Sequence, residues 1–219
     1  MTERALGRAG LWVGPHALGI APLANLTREI SDDAAFEALE AAWQSGVRFY
    51  DTAPHYGLGL GERRLGEFLR TKPREEYIIS TKVGRLLVEN PRGAQPDDQG
   101  FAVVSNLMRR LDYSAEGVRQ SLEESLDRLG LDRVDIVFVH DPDEHYAEAM
   151  GGAFPALDGL RREGVIASYG AGMNQTAMLA DFVLNTDLDV VMSAGRYTLL
   201  EQGGLGDLLP AASDRNVSI

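Results

Sequence analysis

The sequence predicts an α/β fold in which successive strand and helix units build a parallel sheet. Short apolar runs recur between longer segments of helical period along the 219 residues, which is the pattern of βα units. The run "VDIVFV" (residues 134–139) is apolar almost throughout, as expected of a strand buried on both faces. Six such units, with no linker-like break between them, fit either an open doubly wound sheet or part of a (β/α)₈ barrel.

The candidate strands are six short runs rich in apolar residues. In chain order they are "ALGIA" (17–21), "VRFYDT" (47–52), "YIISTK" (77–82), "VDIVFVH" (134–140), "VIASYGAG" (165–172) and "DVVMSA" (189–194). Residues with helical spacing lie between them, so we expect the strands to run parallel and to be covered by the helices.

Two of the intervening helices carry start and stop signals. Ser31 is a candidate N-cap of the first and Gly46 follows as its C-terminal stop, while Ser114 and Gly130 bracket the second. Their apolar stripes are Phe36, Leu39 and Trp43 in the first helix and Val118, Leu122, Leu126 and Leu129 in the second. Further helices are expected around Leu65, Phe68 and Leu69, around Leu157 and Leu160, and from Asn174 to Phe182.

Two segments depart from this rhythm. Residues 84–113 form the longest irregular stretch, and a loop of that length in a compact domain is usually functional or mobile. The last residues, "ASDRNVSI" (212–219), predict a turn followed by the start of a seventh strand. We therefore expect residues 1–219 to form a single domain that is incomplete at its C-terminal side.

Composition argues against several classes of function. With 21 basic and 33 acidic side chains the net charge is −12, so a nucleic acid partner is not expected. The chain has no cysteine, which removes disulfides and thiolate chemistry. No run reaches the about 18 apolar residues that a membrane span needs, and glycines and a proline interrupt the first 26 residues before any signal-peptide core forms. We expect a cytoplasmic protein with no membrane partner.

The glycines of "GLGLGE" (57–62) invite a dinucleotide-binding interpretation. The Rossmann fingerprint places its glycines directly after a strand and an acidic residue about 20 positions later, at the end of the next strand. Here five residues separate Asp51 from the first glycine, and the next strand ends in Lys82. A flexible connection into a helix, with Gly61 and Glu62 in its first turn, is the favoured interpretation.

Four polar residues lie where strands of the predicted sheet end. Asp51, Lys82 and His140 close three successive strands, and Tyr56 follows the first of them. In a parallel barrel the carboxyl ends of all strands open onto one face, so these side chains would converge. Each alone is more often a structural strand cap, but the four together are chemically complementary.

Together these four groups can exchange a proton with an oxygen atom. An ammonium at Lys82 favours the phenolate of Tyr56 and brings the hydroxyl toward the useful pKa range. A carboxylate at Asp51 keeps the lysine charged, and a neutral imidazole at His140 can orient a carbonyl or hydroxyl oxygen. None of them accepts electrons, so hydride transfer would require a nicotinamide cofactor.

These residues carry a resemblance to the aldo-keto reductases. "DTAPHYG" (51–57) with the Gly-x-x-Glu after it resembles that family's signature, and "GLDRVDIVFVH" (130–140) resembles its passage from helix to strand. The resemblance implies an NAD(P)-dependent (β/α)₈ barrel with Asp51, Tyr56, Lys82 and His140 as its catalytic residues. "VHDPD" and "YGAGMNQ" are most similar to the subgroup of D-threo-aldose 1-, L-fucose and pyridoxal 4-dehydrogenases, which implies a sugar or small alcohol or aldehyde as substrate.

The same resemblance assigns the cofactor contacts. The family commonly binds the nicotinamide carboxamide with a Ser-Asn pair after the fifth strand, and Asn174 in "GAGMN" is the matching residue. The glutamine that is common after the sixth strand is absent from "MSAGRY". The resemblance implies NAD or NADP as the cofactor. It does not decide between them, because the family's loops that hold the adenosine phosphate, like its eighth strand, would lie beyond Ile219. The chain then corresponds to a barrel truncated after about six βα units.

Competing interpretations remain for several residues. "HDPDEH" (140–145) could be a metal site, although a solvated acidic loop is the simpler interpretation. A nucleotide-sensing subunit without catalysis and a metal-dependent hydrolase are the alternative functions. His55 either lines the entrance to the substrate site or lies on the surface, and Tyr197 either forms part of the pocket wall or packs in the barrel. Arg85 either neutralises an anionic group or lies in an exposed loop. Trp12 and Trp43 are interpreted as packing residues rather than as rings that stack on a cofactor.

Overall fold

The computed structural model describes residues 3–219. The strands are β1 (Arg4–Leu6), β2 (Leu11–Val13), β3 (Ala17–Gly19), β4 (Phe49–Asp51), β5 (Ile78–Val83), β6 (Arg85–Glu89), β7 (Gln95–Pro96), β8 (Val104–Ser105), β9 (Leu107–Leu111), β10 (Ile136–His140), β11 (Ser168–Met173) and β12 (Val190–Ser193). The helices are α1 (Asp32–Gln44), α2 (Leu60–Leu69), α3 (Ala115–Leu129), α4 (Tyr146–Glu148), α5 (Phe154–Arg162), α6 (Thr176–Asn185) and α7 (Leu208–Arg215), with a π-helical turn (Ala149–Ala153) that joins α4 to α5.

The six predicted strands form one parallel sheet, in the spatial order β12-β11-β10-β5-β4-β3. Among these six strands, each pairs with the one that follows it in the sequence, so the spatial order is the sequence order and never reverses. A doubly wound sheet needs a reversal of strand order, so that alternative is wrong. The sequential order is that of a (β/α)₈ barrel.

The two faces of the sheet bury different side chains. Outward residues such as Tyr50 and Val137 pack with the helices in one large apolar cluster. Inward residues such as Phe49 and Phe138 pack in a second cluster with Leu6 of the β1–β2 hairpin, which covers the amino ends of the strands. The opposite, carboxyl end of the sheet is therefore the end left for a site.

The predicted helix caps are present. Ser31 Oγ accepts a hydrogen bond from the Ala34 amide of α1 at 3.2 Å, and Ser114 Oγ accepts one from the Gly117 amide of α3 at 3.0 Å. Gly130 ends α3 with φ of +61°, a left-handed conformation that glycine adopts without strain. These local signals fix where the two helices begin and end.

The segment predicted to be irregular is folded, which corrects that expectation. Strands β6 and β9 pair antiparallel, and the short strands β7 and β8 pair between them. We call residues 85–111 the excursion. A single bridge ties Phe101 of the excursion to Leu26 of the loop after β3, so the excursion folds back over the carboxyl end of the sheet.

The C-terminal residues are only partly as predicted. Residues expected in a turn belong to α7, which ends at Arg215 and is followed by Asn216 as a C-cap with a left-handed backbone. Ser218 then forms a parallel bridge with Val190 of β12, where the sequence predicts the start of a seventh strand. Within residues 3–219, no helix combines the length and the apolar character that crossing a membrane requires.

Candidate active site

The structure brings the four predicted site residues together at the carboxyl end of the sheet. Asp51 ends β4, Lys82 lies near the end of β5 and His140 ends β10. Tyr56 lies in the tight loop between β4 and α2, and its ring centroid is 5.9 Å from that of His140. The convergence follows from the parallel register, since Asp51 lies opposite Ser80 and His140 lies one position past the β5–β10 ladder.

Lys82 is the centre of the hydrogen-bond network. Its ammonium donates to Asp51 Oδ2 at 2.6 Å, to the Thr52 carbonyl at 3.0 Å and to the Tyr56 hydroxyl at 3.0 Å. These are all three of its donors. The Ser80 hydroxyl donates to the other oxygen of Asp51 at 2.7 Å. The network fixes the positions of the carboxylate, the ammonium and the phenol relative to one another.

Burial and charge act in opposite directions on Lys82. The side chain is 2% exposed, and burial by itself would lower the pKa of the ammonium. The carboxylate of Asp51 and the oxygen of Tyr56 outweigh burial, so the pKa of Lys82 is raised. The lysine is therefore charged at neutral pH, as the sequence predicts.

Tyr56 differs from the expectation. Burial raises the pKa of its hydroxyl, and the nearby charge of Lys82 opposes that shift without overcoming it. The predicted effect of the ammonium is present, since Lys82 acts to lower this pKa, but burial outweighs it, and the sequence did not reveal how far the loop between β4 and α2 buries the ring. The hydroxyl is protonated at neutral pH and is ready to donate a proton.

His140 is buried and neutral. Burial, followed by the positive charge of Lys82, holds its pKa well below the usual value. Its Nε2 lies 3.4 Å from Asp141 Oδ2, and its Nδ1 is buried without a hydrogen-bond partner among residues 3–219. The Tyr113 hydroxyl donates to the carbonyls of His140 at 2.7 Å and Asp141 at 3.0 Å, which fixes the end of β10.

The excursion supplies site residues that the sequence did not indicate. Arg109 forms a buried ion pair with Asp97, their side chains being 4% and 1% exposed, and it donates to the His55 carbonyl at 2.8 Å. Phe101 packs its ring against those of His55 and Tyr56, with centroids at 5.2 and 6.1 Å. Only the length of the irregular segment hinted that it covers the site.

The remaining candidates occupy ordinary positions. Arg85 pairs with Asp141 at 3.0 Å, and His145 pairs with Glu148 at 2.9 Å. Among residues 3–219, no three His, Asp or Glu side chains are grouped as metal ligands are.

Trp43 packs edge-on against Phe68 as predicted. Trp12, predicted to be a packing residue, is 61% exposed, and Tyr197 is also exposed.

Two glycines lie on the inward face of β11, next to Lys82 and Val190. Gly170 must be glycine, because a Cβ there would lie 1.6 Å from the Val190 carbonyl oxygen. Gly172 has no such conflict: a Cβ would lie 3.8 Å from Cε of Lys82, so the absent side chain keeps this space open. Asn174 is exposed at the next inward position past the strand, where its amide can pair with a carboxamide. The residues present fit the cofactor.

The model of the aldo/keto reductase family matches residues 17–219. The chain is 48% identical over 222 residues to D-threo-aldose 1-dehydrogenase of a Pseudomonas species, covering 100% of this chain and 68% of that protein. It is 40% identical over 235 residues to pyridoxal 4-dehydrogenase of Microbacterium luteolum, covering 99% and 68%.

Solved structures of aldo-keto reductases have the same fold as this chain over most of its length. A Pseudomonas aeruginosa protein assigned to the aldo-keto reductases superimposes with a TM-score of 0.74 at 30% identity, over 98% of this chain and 75% of that one. The holo form of AKR11C1 from Bacillus halodurans superimposes with a TM-score of 0.78 at 23% identity, over 100% and 65%. At that identity the likeness concerns the fold alone.

Proposed function

The chain belongs to the aldo-keto reductase family and is an NAD(P)-dependent oxidoreductase, and we propose that it transfers a hydride between the nicotinamide and a sugar hemiacetal or a small alcohol or aldehyde. Tyr56 is the proton donor and acceptor in this proposal. The observation that carries it is the network in which the ammonium of Lys82 contacts both the Asp51 carboxylate and the Tyr56 hydroxyl.

The network explains how a protonated tyrosine can act as an acid. In reduction the Tyr56 hydroxyl gives its proton to the carbonyl oxygen as the hydride reaches the carbonyl carbon, and the phenolate that remains lies 3.0 Å from a permanent positive charge on Lys82. In oxidation that phenolate takes the proton of the substrate hydroxyl. Asp51 keeps the ammonium charged in both directions.

His140 orients the reacting oxygen. A neutral imidazole has one donor and one acceptor nitrogen, and its ring stands perpendicular to the Tyr56 ring. The substrate oxygen can then be held by the imidazole while it faces the tyrosine hydroxyl. A bound nicotinamide supplies the hydride in reduction and accepts it in oxidation. Asn174 is the residue of this chain that would hold the carboxamide of the ring.

The substrate class is proposed from the site and from the relatives. Apart from the Phe101 ring, the groups around Tyr56 are polar: His140, His55 and the Arg85–Asp141 ion pair beyond them. Such a lining suits a molecule with several hydroxyl groups better than an apolar aldehyde. Two relatives are a D-threo-aldose dehydrogenase and a pyridoxal dehydrogenase, and both names describe oxidation of a small polar molecule.

The test is binding followed by turnover. Titration of the 219-residue chain with NADH and NADPH, followed by nicotinamide fluorescence, should give saturable binding. Absorbance at the nicotinamide band should then report oxidation of L-fucose, D-arabinose or a related sugar. A chain that binds the dinucleotide but oxidises or reduces none of a panel of sugars, pyridoxal and small aldehydes would contradict the proposal and favour a nucleotide-sensing role.

A further inference from the structure

A second histidine lies beside the proposed catalytic residues, and the mechanism above does not use it. The ring centroid of His55 is 5.5 Å from that of His140 and 6.0 Å from that of Tyr56. The His55 and His140 rings meet nearly edge to face, at 78°. The two imidazoles therefore form one polar corner next to the tyrosine.

The ring nitrogens of His55 have no hydrogen-bond partner among the residues that the structure describes. Its Nδ1 is buried without a hydrogen bond among residues 3–219, and the structure gives no side-chain hydrogen bond for its Nε2. Buried polar atoms without partners are rare and unfavourable, and they are often found where a ligand completes the hydrogen bonding. Nδ1 of His140, whose ring centroid is 5.5 Å from that of His55, is also buried without a hydrogen-bond partner among residues 3–219.

Burial, together with the charges that face it, keeps His55 neutral. Burial lowers its pKa to about 3, and Arg109, Arg85 and Lys82 act in the same direction while Asp97 opposes them. A neutral imidazole offers one donor and one acceptor. That combination matches a hydroxyl group, which also donates and accepts, better than it matches an anion.

The excursion holds His55 in a fixed position. Arg109 donates to the His55 carbonyl, and Asp97 accepts from Arg109 and from the Phe101 amide at 3.1 Å. Phe101 closes the far side of the imidazole at right angles, with centroids 5.2 Å apart. The backbone of His55 is therefore held by a buried ion pair and its ring by Phe101.

We propose that His55 is a second substrate ligand, whose imidazole hydrogen-bonds a hydroxyl on the carbon next to the reacting carbon. This rests on the proposed function, because Tyr56 and His140 set where the reacting oxygen lies. The consequence is selectivity: a substrate with a hydroxyl at that neighbouring carbon gains a hydrogen bond that a deoxy substrate cannot make. An imidazole that merely packs against Phe101 would give no such selectivity.

The kinetic test compares His55→Phe with wild type on D-arabinose and on 2-deoxy-D-ribose, its counterpart without the neighbouring hydroxyl. Phenylalanine keeps the ring contacts and removes both nitrogens. We expect kcat/KM for D-arabinose to fall about 10- to 100-fold, mainly through KM, with less than about a threefold change for the deoxy sugar. His145→Phe, on the surface histidine that pairs with Glu148, is the matched control. Equal losses on both sugars, or no loss on D-arabinose, would overturn the proposal.

A second measurement separates this proposal from the proposed function. Imidazole ¹⁵N resonances of the chain with NADH, assigned with His55→Phe, should shift for His55 when D-arabinose is added and shift much less with 2-deoxy-D-ribose. No response of His55 to D-arabinose would overturn the assignment, whether or not His140 responds. A wild-type chain that shows the His55 response but turns over neither sugar would contradict the proposed reaction and leave His55 as a sugar ligand.

Discussion

Lys82→Met should strongly destabilise the fold, because it leaves the Asp51 carboxylate without its counter-ion. Methionine has a similar length but no charge. In the native chain the lysine is 2% exposed and the Asp51 side chain 9% exposed. After the substitution only the Ser80 hydroxyl would still donate to this carboxylate from the residues described here.

The size of the effect follows from the burial. Removing one partner of a buried ion pair destabilises by about 3–5 kcal/mol, because the remaining charge is uncompensated. Lys82→Met also removes hydrogen bonds to the Thr52 carbonyl and the Tyr56 hydroxyl. The double variant Asp51→Leu/Lys82→Met removes both charges, and we expect it to be no less stable than Lys82→Met alone, since neutral replacements of buried pairs are often tolerated.

Urea unfolding followed by tryptophan fluorescence measures these free energies. The matched control is Arg119→Met, which breaks the exposed pair with Glu163 at 2.9 Å and should change the free energy of unfolding little, because solvent screens an exposed pair. If Lys82→Met costs no more than Arg119→Met, the claim that a desolvated ion pair organises the site is refuted. The single variant Asp51→Leu completes the cycle, and if the double variant loses the full sum of the losses of Asp51→Leu and Lys82→Met, the two residues are not coupled.

Three further results are expected. Gly170→Ala should lower the free energy of unfolding by about 1–3 kcal/mol, because its Cβ would lie 1.6 Å from the Val190 carbonyl oxygen. Gly14→Ala is the control, since the space around Gly14 is open and the free energy of unfolding should change little. Equal losses for the two variants would contradict the spacing between β11 and β12. Burial of neutral His55 lowers its pKa from 6.5 to about 3, so its contribution to stability is present above pH 6.5 and is lost as the pH falls toward 3. The free energy of unfolding in urea should therefore depend less on pH between 3 and 6.5 for His55→Phe than for wild type. The pKa of Tyr56 is raised, so the rate of oxidation, which needs the phenolate, should rise with pH through the neutral range while reduction does not; a bell centred near pH 7 would argue for a titrating histidine instead.

The sequence predicts the main sheet and the site because both rest on local signals. Each strand is a compact apolar run, and the polar residue that follows it marks the carboxyl end. Asp51, Lys82 and His140 could therefore be placed on one face without knowing any contact between them. Helix starts and stops at Ser31 and Gly130 follow from capping preferences in the same way.

The excursion and the electrostatics could not be predicted in this way. The pairing of Arg85 with Leu111 joins residues far apart in sequence, and neither strand shows a clean alternation of apolar residues that would set its register. Arg109 and Asp97 resemble exposed charges until the fold buries them together. The net shift of the Tyr56 pKa depends on the balance between burial and one neighbouring charge, and only the three-dimensional arrangement sets that balance.

Tyr56→Phe tests the central claim most directly. The substitution removes one hydroxyl, leaves the Lys82–Asp51 ion pair in place and keeps the ring that packs against Phe101. We predict that NADH binding, measured by nicotinamide fluorescence, stays within about threefold of wild type, while kcat for sugar oxidation falls at least about 10²-fold, the contribution typical of general acid–base catalysis. Turnover that persists at the wild-type rate would show that another group exchanges the proton.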